Sequence, residues 1–92
     1  METWIQAHNF LFDIKVGDKY YISTDTFVEC IKRTNKRIHL SNGQIISIKE
    51  IDGYKYLTSK GVTVRNKLYD TVHQTIRDIE GYLIYLIHSN KL

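Results

Sequence analysis

The dipeptide Asn42-Gly43 leaves the chain around it little choice. It stands between Arg37-Ile38-His39-Leu40 and the stretch from Gln44 to Lys49, two short segments in which apolar residues alternate with polar ones. Both central positions of a tight hairpin turn favour positive φ, which Asn and Gly tolerate best, so the pair predicts two antiparallel strands joined by a tight turn. Alternation then points Ile38 and Leu40 inward, with Ile46 and Ile48 opposite them and Ile45 left over. A third strand is expected at Thr26 to Lys32, where Val28 and Cys30 share one face. A further hairpin is read from Tyr54 to Ser59, turning at Lys60-Gly61 and returning through Val62 to Arg65.

The same period-2 pattern is read in Phe10-Leu11-Phe12-Asp13-Ile14-Lys15-Val16, where Phe10, Phe12, Ile14 and Val16 alternate. Thr3 to Ala7 is too short to show a helical period and is read as a segment pairing back on that strand. Gly17 and Asp18 end the strand, and Tyr20, Tyr21 and Ile22 begin another. In the last third the period changes. Leu68, Val72, Ile76 and Ile79 recur at four, four and three residues, which predicts a helix with Asn66 as N-cap and Gly81 at its end. The run from Tyr82 to Ile87 is then expected as a buried final strand.

The chain has 92 residues and one cysteine, so it allows one domain and no internal disulfide. No zinc-ligand spacing is present either, and its stability must come from packing. Thirteen isoleucines against seven leucines, seven tyrosines and no proline lean towards strand and towards coding from an AT-rich genome, such as that of a bacteriophage or another virus. The fold class expected is mainly β within α+β. It takes the form of a small, strongly bent antiparallel sheet or closed barrel, with one C-terminal helix followed by a last strand. The longest apolar run is six residues, Tyr82 to Ile87, which excludes a membrane-spanning helix. With no secretory leader, a cytoplasmic protein is expected, in the host cytoplasm if viral.

Charge is distributed unevenly. Residues 1–31 carry two basic and five acidic side chains, residues 32–67 nine basic and two acidic, and residues 68–92 two basic and three acidic. These give −3, +7 and −1, which sum to the net +3 of the whole chain. A local field of this kind attracts phosphates or an acidic protein surface, although Lys-rich edges also serve to block strand-to-strand aggregation. The cations concentrate in Lys32, Arg33, Lys36 and Arg37 around one polar turn, with His39 on the face of Arg37. Arg offers bidentate contacts to phosphate and Lys a point charge. Lys49 belongs to the same basic middle. Tyr20, Tyr21, Tyr54 and Tyr56 offer stacking surfaces for unpaired bases, Tyr54 and Tyr56 on one face and Tyr20 and Tyr21 on opposite ones, the alternative being partial burial in the core.

Catalytic chemistry finds little footing. Cys30 reads as a small buried thiol, His73 and Thr75 form a single His-x-Thr, and His8, His39, His73 and His88 are scattered without ligand spacing. No glycine-rich phosphate loop is present. No enzyme, cofactor or metal is expected.

Lys15 to Ile22, Phe27 to Leu40 and Asn42 to Ile48 together set out a strand ending in Val-Gly-Asp-Lys, a strand, a basic turn, a strand, an Asn-Gly turn and a strand. Over that first half the chain resembles small SH3-like barrels, including Tudor and KOW modules. The resemblance implies a binding module and no chemistry. Two functions are carried forward. One is contact with nucleic acid through the basic centre, by Lys32, Arg33, Lys36, Arg37, His39, Lys49, Tyr54 and Tyr56. The other is a phage or viral accessory protein that binds and inhibits a host protein through its apolar final strand or its helix face, with a homodimer by edge pairing as a further arrangement.

Overall fold

The alternating segments of the centre form strands as expected, while the turns between them and the two ends of the chain fold differently. In the computed structural model, which describes residues 2–59 and 71–91, the order is α1 (Glu2–Asp13), β1 (Lys19–Tyr21), β2 (Phe27–Arg33), β3 (Arg37–Leu40), β4 (Ile45–Ile51), β5 (Tyr54–Ser59) and α2 (Thr71–His88). The five strands form one antiparallel sheet in chain order, curled into a half-barrel. The fold class is therefore α+β with strong β content, built on a bent antiparallel meander.

Two turns set the curl. Leu40 and Gln44 close a three-residue connection, with Leu40 N–H donating to Gln44 O at 3.0 Å and Gly43 N–H to Leu40 O at 3.0 Å. Of the two residues expected at positive φ, only Gly43 has it, at 92°. Ser41 and Asn42 form a type I turn and Gly43 the bulge that follows it. The two-residue turn falls at Asp52-Gly53 instead, where φ is 50° and 84° and Ile51 pairs with Tyr54. Thus β5 returns on β4. The expected partner of β5 at 62–65 lies outside the described residues, as do Asn66 and Leu68.

The long strand β2 serves two neighbours. Its first half pairs with β1 (Lys19 with Glu29, Tyr21 with Phe27) and its second with β3. Between Cys30 and Lys32 the register shifts, so that Cys30 faces Leu40, Lys32 faces His39 and Arg33 faces Ile38. An extra residue of this kind bends the strand and raises its twist.

Both ends of the chain correct the sequence reading. The segment Phe10 to Asp13 is the last turn of α1, not a strand. Ala7, Leu11 and Ile14 are buried at four- and three-residue spacing, the helical period. Val16, which the strand reading put inward, is exposed. On another side of α1 the rings of Trp4, His8 and Phe12 meet at successive four-residue steps, Trp4 stacked on His8 at 5.1 Å and His8 edge-to-face with Phe12 at 4.8 Å. Gly81 does not stop α2, and Tyr82 to Ile87 are helix rather than a final strand. Among the described residues there are accordingly two helices where one was expected. The stop comes at Asn90, left-handed at φ 59°, with Asn90 N–H donating to Ile87 O and Lys91 N–H to Leu86 O. That is a Schellman cap, with Asn in the place usually taken by Gly.

The core lies between the inner face of the curl and the two helices. Ala7, Leu11 and Ile14 meet Val28, Cys30, Ile38, Leu40 and Ile46 from the sheet and Val72, Ile76 and Ile79 from α2. Each such Ile or Leu contributes roughly 1.5–3 kcal/mol by leaving water. A polar link crosses this layer. Thr75, fully buried, donates to Thr71 O at 2.8 Å and lies 3.4 Å from Gln44 Oε1, which also accepts from Asn42 Nδ2 at 2.8 Å. It ties α2 to the β3–β4 turn. No helix among the described residues is long and apolar enough to cross a membrane.

Candidate nucleic-acid interface

The bulge in β2 decides where the central cations go. Because strand side chains alternate with a period of two residues, a one-residue shift exchanges the two faces. Cys30 points inward, and without the bulge Lys32 would follow it. With the bulge, Lys32 stands on the outer face opposite His39, and Arg33 turns to the inner side opposite Ile38.

Arg33 is consequently held by backbone rather than presented to solvent. Its Nε donates to Ile14 O at 2.9 Å, one terminal nitrogen donates to Phe12 O at 3.0 Å, and the other donates to Thr34 O. The first two acceptors lie at and just beyond the end of α1, where helix carbonyls lack intrahelical partners and partial negative charge accumulates. The guanidinium caps α1 and clamps it to β2. Thr34 shapes the turn that follows: its hydroxyl accepts from Arg37 N–H at 3.0 Å, and its own N–H donates to Arg37 O at 2.9 Å.

Lys32, Lys36, Arg37 and His39 come together. With Thr34 and Asn35 they line a shallow groove of about 550 Å³ at the β2–β3 turn, and among the described residues none that line it is a carboxylate. On the other side of the same turn a cleft of about 810 Å³ opens at the end of α1. Its cations are Arg33, Lys36, Arg37, Lys49 and Lys55, and here Asp13 and Glu50 intervene. The two surfaces share Asn35, Lys36 and Arg37. Lys55 was not singled out in the sequence; its signal was Asp52-Gly53, which fixes Glu50 opposite Lys55.

Along the outer face, β4 and β5 place Lys49 beside Tyr56 and Ile51 beside Tyr54. Arg37 and His39 occupy the same face of β3, opposite Ser47 and Ile45. Tyr54 is 78% exposed and Tyr56 39%. Of the eight candidate residues, six stand on the outer face of the sheet and Lys36 in the turn beside it, while the eighth, Arg33, reaches inward to the end of α1. Exposed Ile31, Ile45 and Ile51 interrupt the cations with apolar surface.

The inner tyrosine behaves differently. Tyr20 is buried, and its hydroxyl lacks a hydrogen-bond partner among the described residues. Burial pushes it up to about 12, the neighbouring Thr75 hydroxyl pulls it back, and the charge of Asp78 adds to the rise. Burial also pushes the Cys30 thiol up, away from the thiolate that nucleophilic chemistry requires. Among the described residues no group of three or more His, Cys, Asp or Glu is placed to hold a metal ion.

No family model, curated protein or solved structure matches the chain. The class rests on architecture alone: an α+β protein whose curled five-stranded meander is backed by two helices.

Proposed function

We propose that the protein is a non-enzymatic binding module that contacts nucleic acid through the basic outer surface at the β2–β3 turn. The observation that carries this reading is the groove lined by Lys32, Lys36, Arg37 and His39 with no carboxylate among its walls. Cations spaced around a turn match phosphates along a backbone, and contacts of that type position a nucleic acid without reading its sequence. Weak sequence preference and steep salt dependence follow. Each phosphate neutralised contributes about −0.9 to the slope of log affinity against log salt on duplex DNA.

The test is a titration of labelled DNA and RNA, single-stranded and duplex, at low and moderate salt. Beside the natural chain stands a Lys32→Glu/Lys36→Glu/Arg37→Glu variant, with Arg33 left alone because it holds α1. The variant is expected to bind far more weakly, with a slope flatter by roughly 3 on duplex DNA. Equal binding by both proteins would remove the proposal.

A second reading, a viral or phage accessory protein that inhibits a host protein in the cytoplasm, is favoured by apolar residues left uncovered on the helices. Ile84, Tyr85 and Ile87 of α2 and Trp4 and Ile5 of α1 are exposed, and uncovered apolar surface of this kind marks protein interaction sites. The natural chain would then capture a stoichiometric partner that an Ile84→Glu/Ile87→Glu variant loses. Identical captures from both proteins count against it.

A further inference from the structure

Building on the nucleic-acid reading, we propose that the ligand is single-stranded, its backbone following the cationic groove at the β2–β3 turn and its bases stacking on Tyr54 and Tyr56. Elsewhere in the described residues aromatic rings pack against one another: Tyr21 meets Phe27 and Tyr82, Tyr82 meets Tyr85, and Phe10 meets Tyr20. Tyr54 and Tyr56 have no such ring partner there, and both stand on the outer face. A strand that exposes two unpartnered rings among cations carries the two components of a sequence-tolerant single-strand surface, a basic track and a stacking platform.

Spacing separates the single strand from the duplex. Two residues apart on one face of β5, the rings are about 6.7 Å apart along the strand. Bases stacked in a duplex rise about 3.4 Å per step, so the two rings cannot each take a neighbouring base unless the strand is open. An unstacked single strand can be extended to meet both. Rows of the sheet supply the track that leads there. Arg37 stands opposite Ser47, and the next outward row of β4 brings Lys49 beside Tyr56, then Ile51 beside Tyr54. Rows are about 6.7 Å apart and strands about 4.8 Å, so from Arg37 to Tyr56, one row and two strands away, is roughly 12 Å. That is the reach of two or three nucleotides. The Asp52-Gly53 turn holds both central residues at positive φ and fixes the register that puts Tyr54 beside Ile51. The carboxylate of Asp52 at its tip repels phosphates, which orients the backbone towards Lys36 and the bases towards the tyrosines.

The experiment measures anisotropy of one oligonucleotide sequence, single-stranded and as duplex, with the natural chain, Tyr54→Ala/Tyr56→Ala and Tyr54→Phe/Tyr56→Phe. The single strand should bind several-fold tighter than the duplex. The alanine variant should lose about 5-fold or more per ring on the single strand, with duplex affinity unchanged, and the phenylalanine variant should retain both. Circular dichroism confirms that the exposed substitutions leave the fold intact. A duplex bound as tightly as the single strand, or an alanine variant that weakens both alike or neither, overturns the strandedness. If the charge-reversed variant still abolishes binding in that case, the basic surface stands without it. A natural chain that binds neither form removes both proposals.

Discussion

The two faces of the curled sheet obey the same alternation and end in opposite conditions. The inner face of β2 to β4 presents Val28, Cys30, Ile38, Leu40 and Ile46, all sealed against α1 and α2. The outer face presents Lys32, Arg37, His39, Lys49, Tyr54 and Tyr56, with Ile31, Ile45 and Ile51 exposed among them. The outer face thus mixes cations with three exposed isoleucines and two exposed tyrosines. Structure is carried by one side of each strand, which leaves the other free to meet a ligand. Arg33 is the exception that joins them, a cation of the basic turn used on the inner side.

The largest effect should come from emptying the inner face. Ile38→Ala removes a fully buried side chain from the centre of β3 and is expected to cost about 2–5 kcal/mol in urea unfolding. Ile51→Ala on the outer face should cost no more than about 0.5 kcal/mol. Similar losses at the two positions would show that the outer isoleucines are packed and the contrast is mistaken.

Arg33 and Arg37 sharpen the division within a single turn. Arg33→Ala strips the carbonyls of Phe12 and Ile14 of a charged donor. A hydrogen bond to a charged group is worth roughly 1.5–3 kcal/mol, so a loss of about 2 kcal/mol is expected. Arg37→Ala should leave stability nearly unchanged and lower the salt slope of DNA binding by about 1. If the two variants exchange effects, the assignment of faces falls.

These two arginines also show where sequence reading ends. The strands from 26 to 49 were legible because half-buried segments alternate and Gly-containing turns punctuate them. Arg37, His39, Tyr54 and Tyr56 could be placed on faces by counting in twos. Arg33 could not, because nothing in Cys30-Ile31-Lys32-Arg33 declares the bulge that exchanges the faces. The helices failed for a different reason. Phe10 to Val16 satisfies a period of 2 as readily as 3.6, and the decisive residue, Ala7, lay outside that window. In α2, Gly81 followed by six apolar residues resembled a stop and a buried strand. Yet Ile84, Tyr85 and Ile87 are exposed, because the second half of the helix carries apolar residues on more sides than it buries.

Gly81 yields a smaller effect on the side of α2 away from the sheet. A Cβ there would meet nothing within 4 Å, and glycine inside a helix costs about 0.8–1 kcal/mol relative to alanine. Gly81→Ala should therefore stabilise the protein by up to about 1 kcal/mol, read as a rise in the urea midpoint without a change in slope. Destabilisation would mean that α2 is covered on that side, and that the helix contributes to more than the inner face.

The smallest effect at neutral pH belongs to Tyr20, the tyrosine on the inner side, and its value lies in its contrast with Tyr54 and Tyr56. Removing an unpaired buried hydroxyl by Tyr20→Phe should leave stability equal or slightly raised at pH 7. The difference grows in alkali. Tyr20 is pushed up to about 12 in the folded chain against 10.0 when unfolded. Between these values the unfolded chain has released a proton that the folded chain retains, so stability must fall as pH rises through that window. Tyr20→Phe should lose less than the natural chain above pH 10. Parallel curves for Tyr20→Phe and the natural chain would place the Tyr20 hydroxyl in water, and the inner face would then be wet where the packing of α2 requires it to be dry.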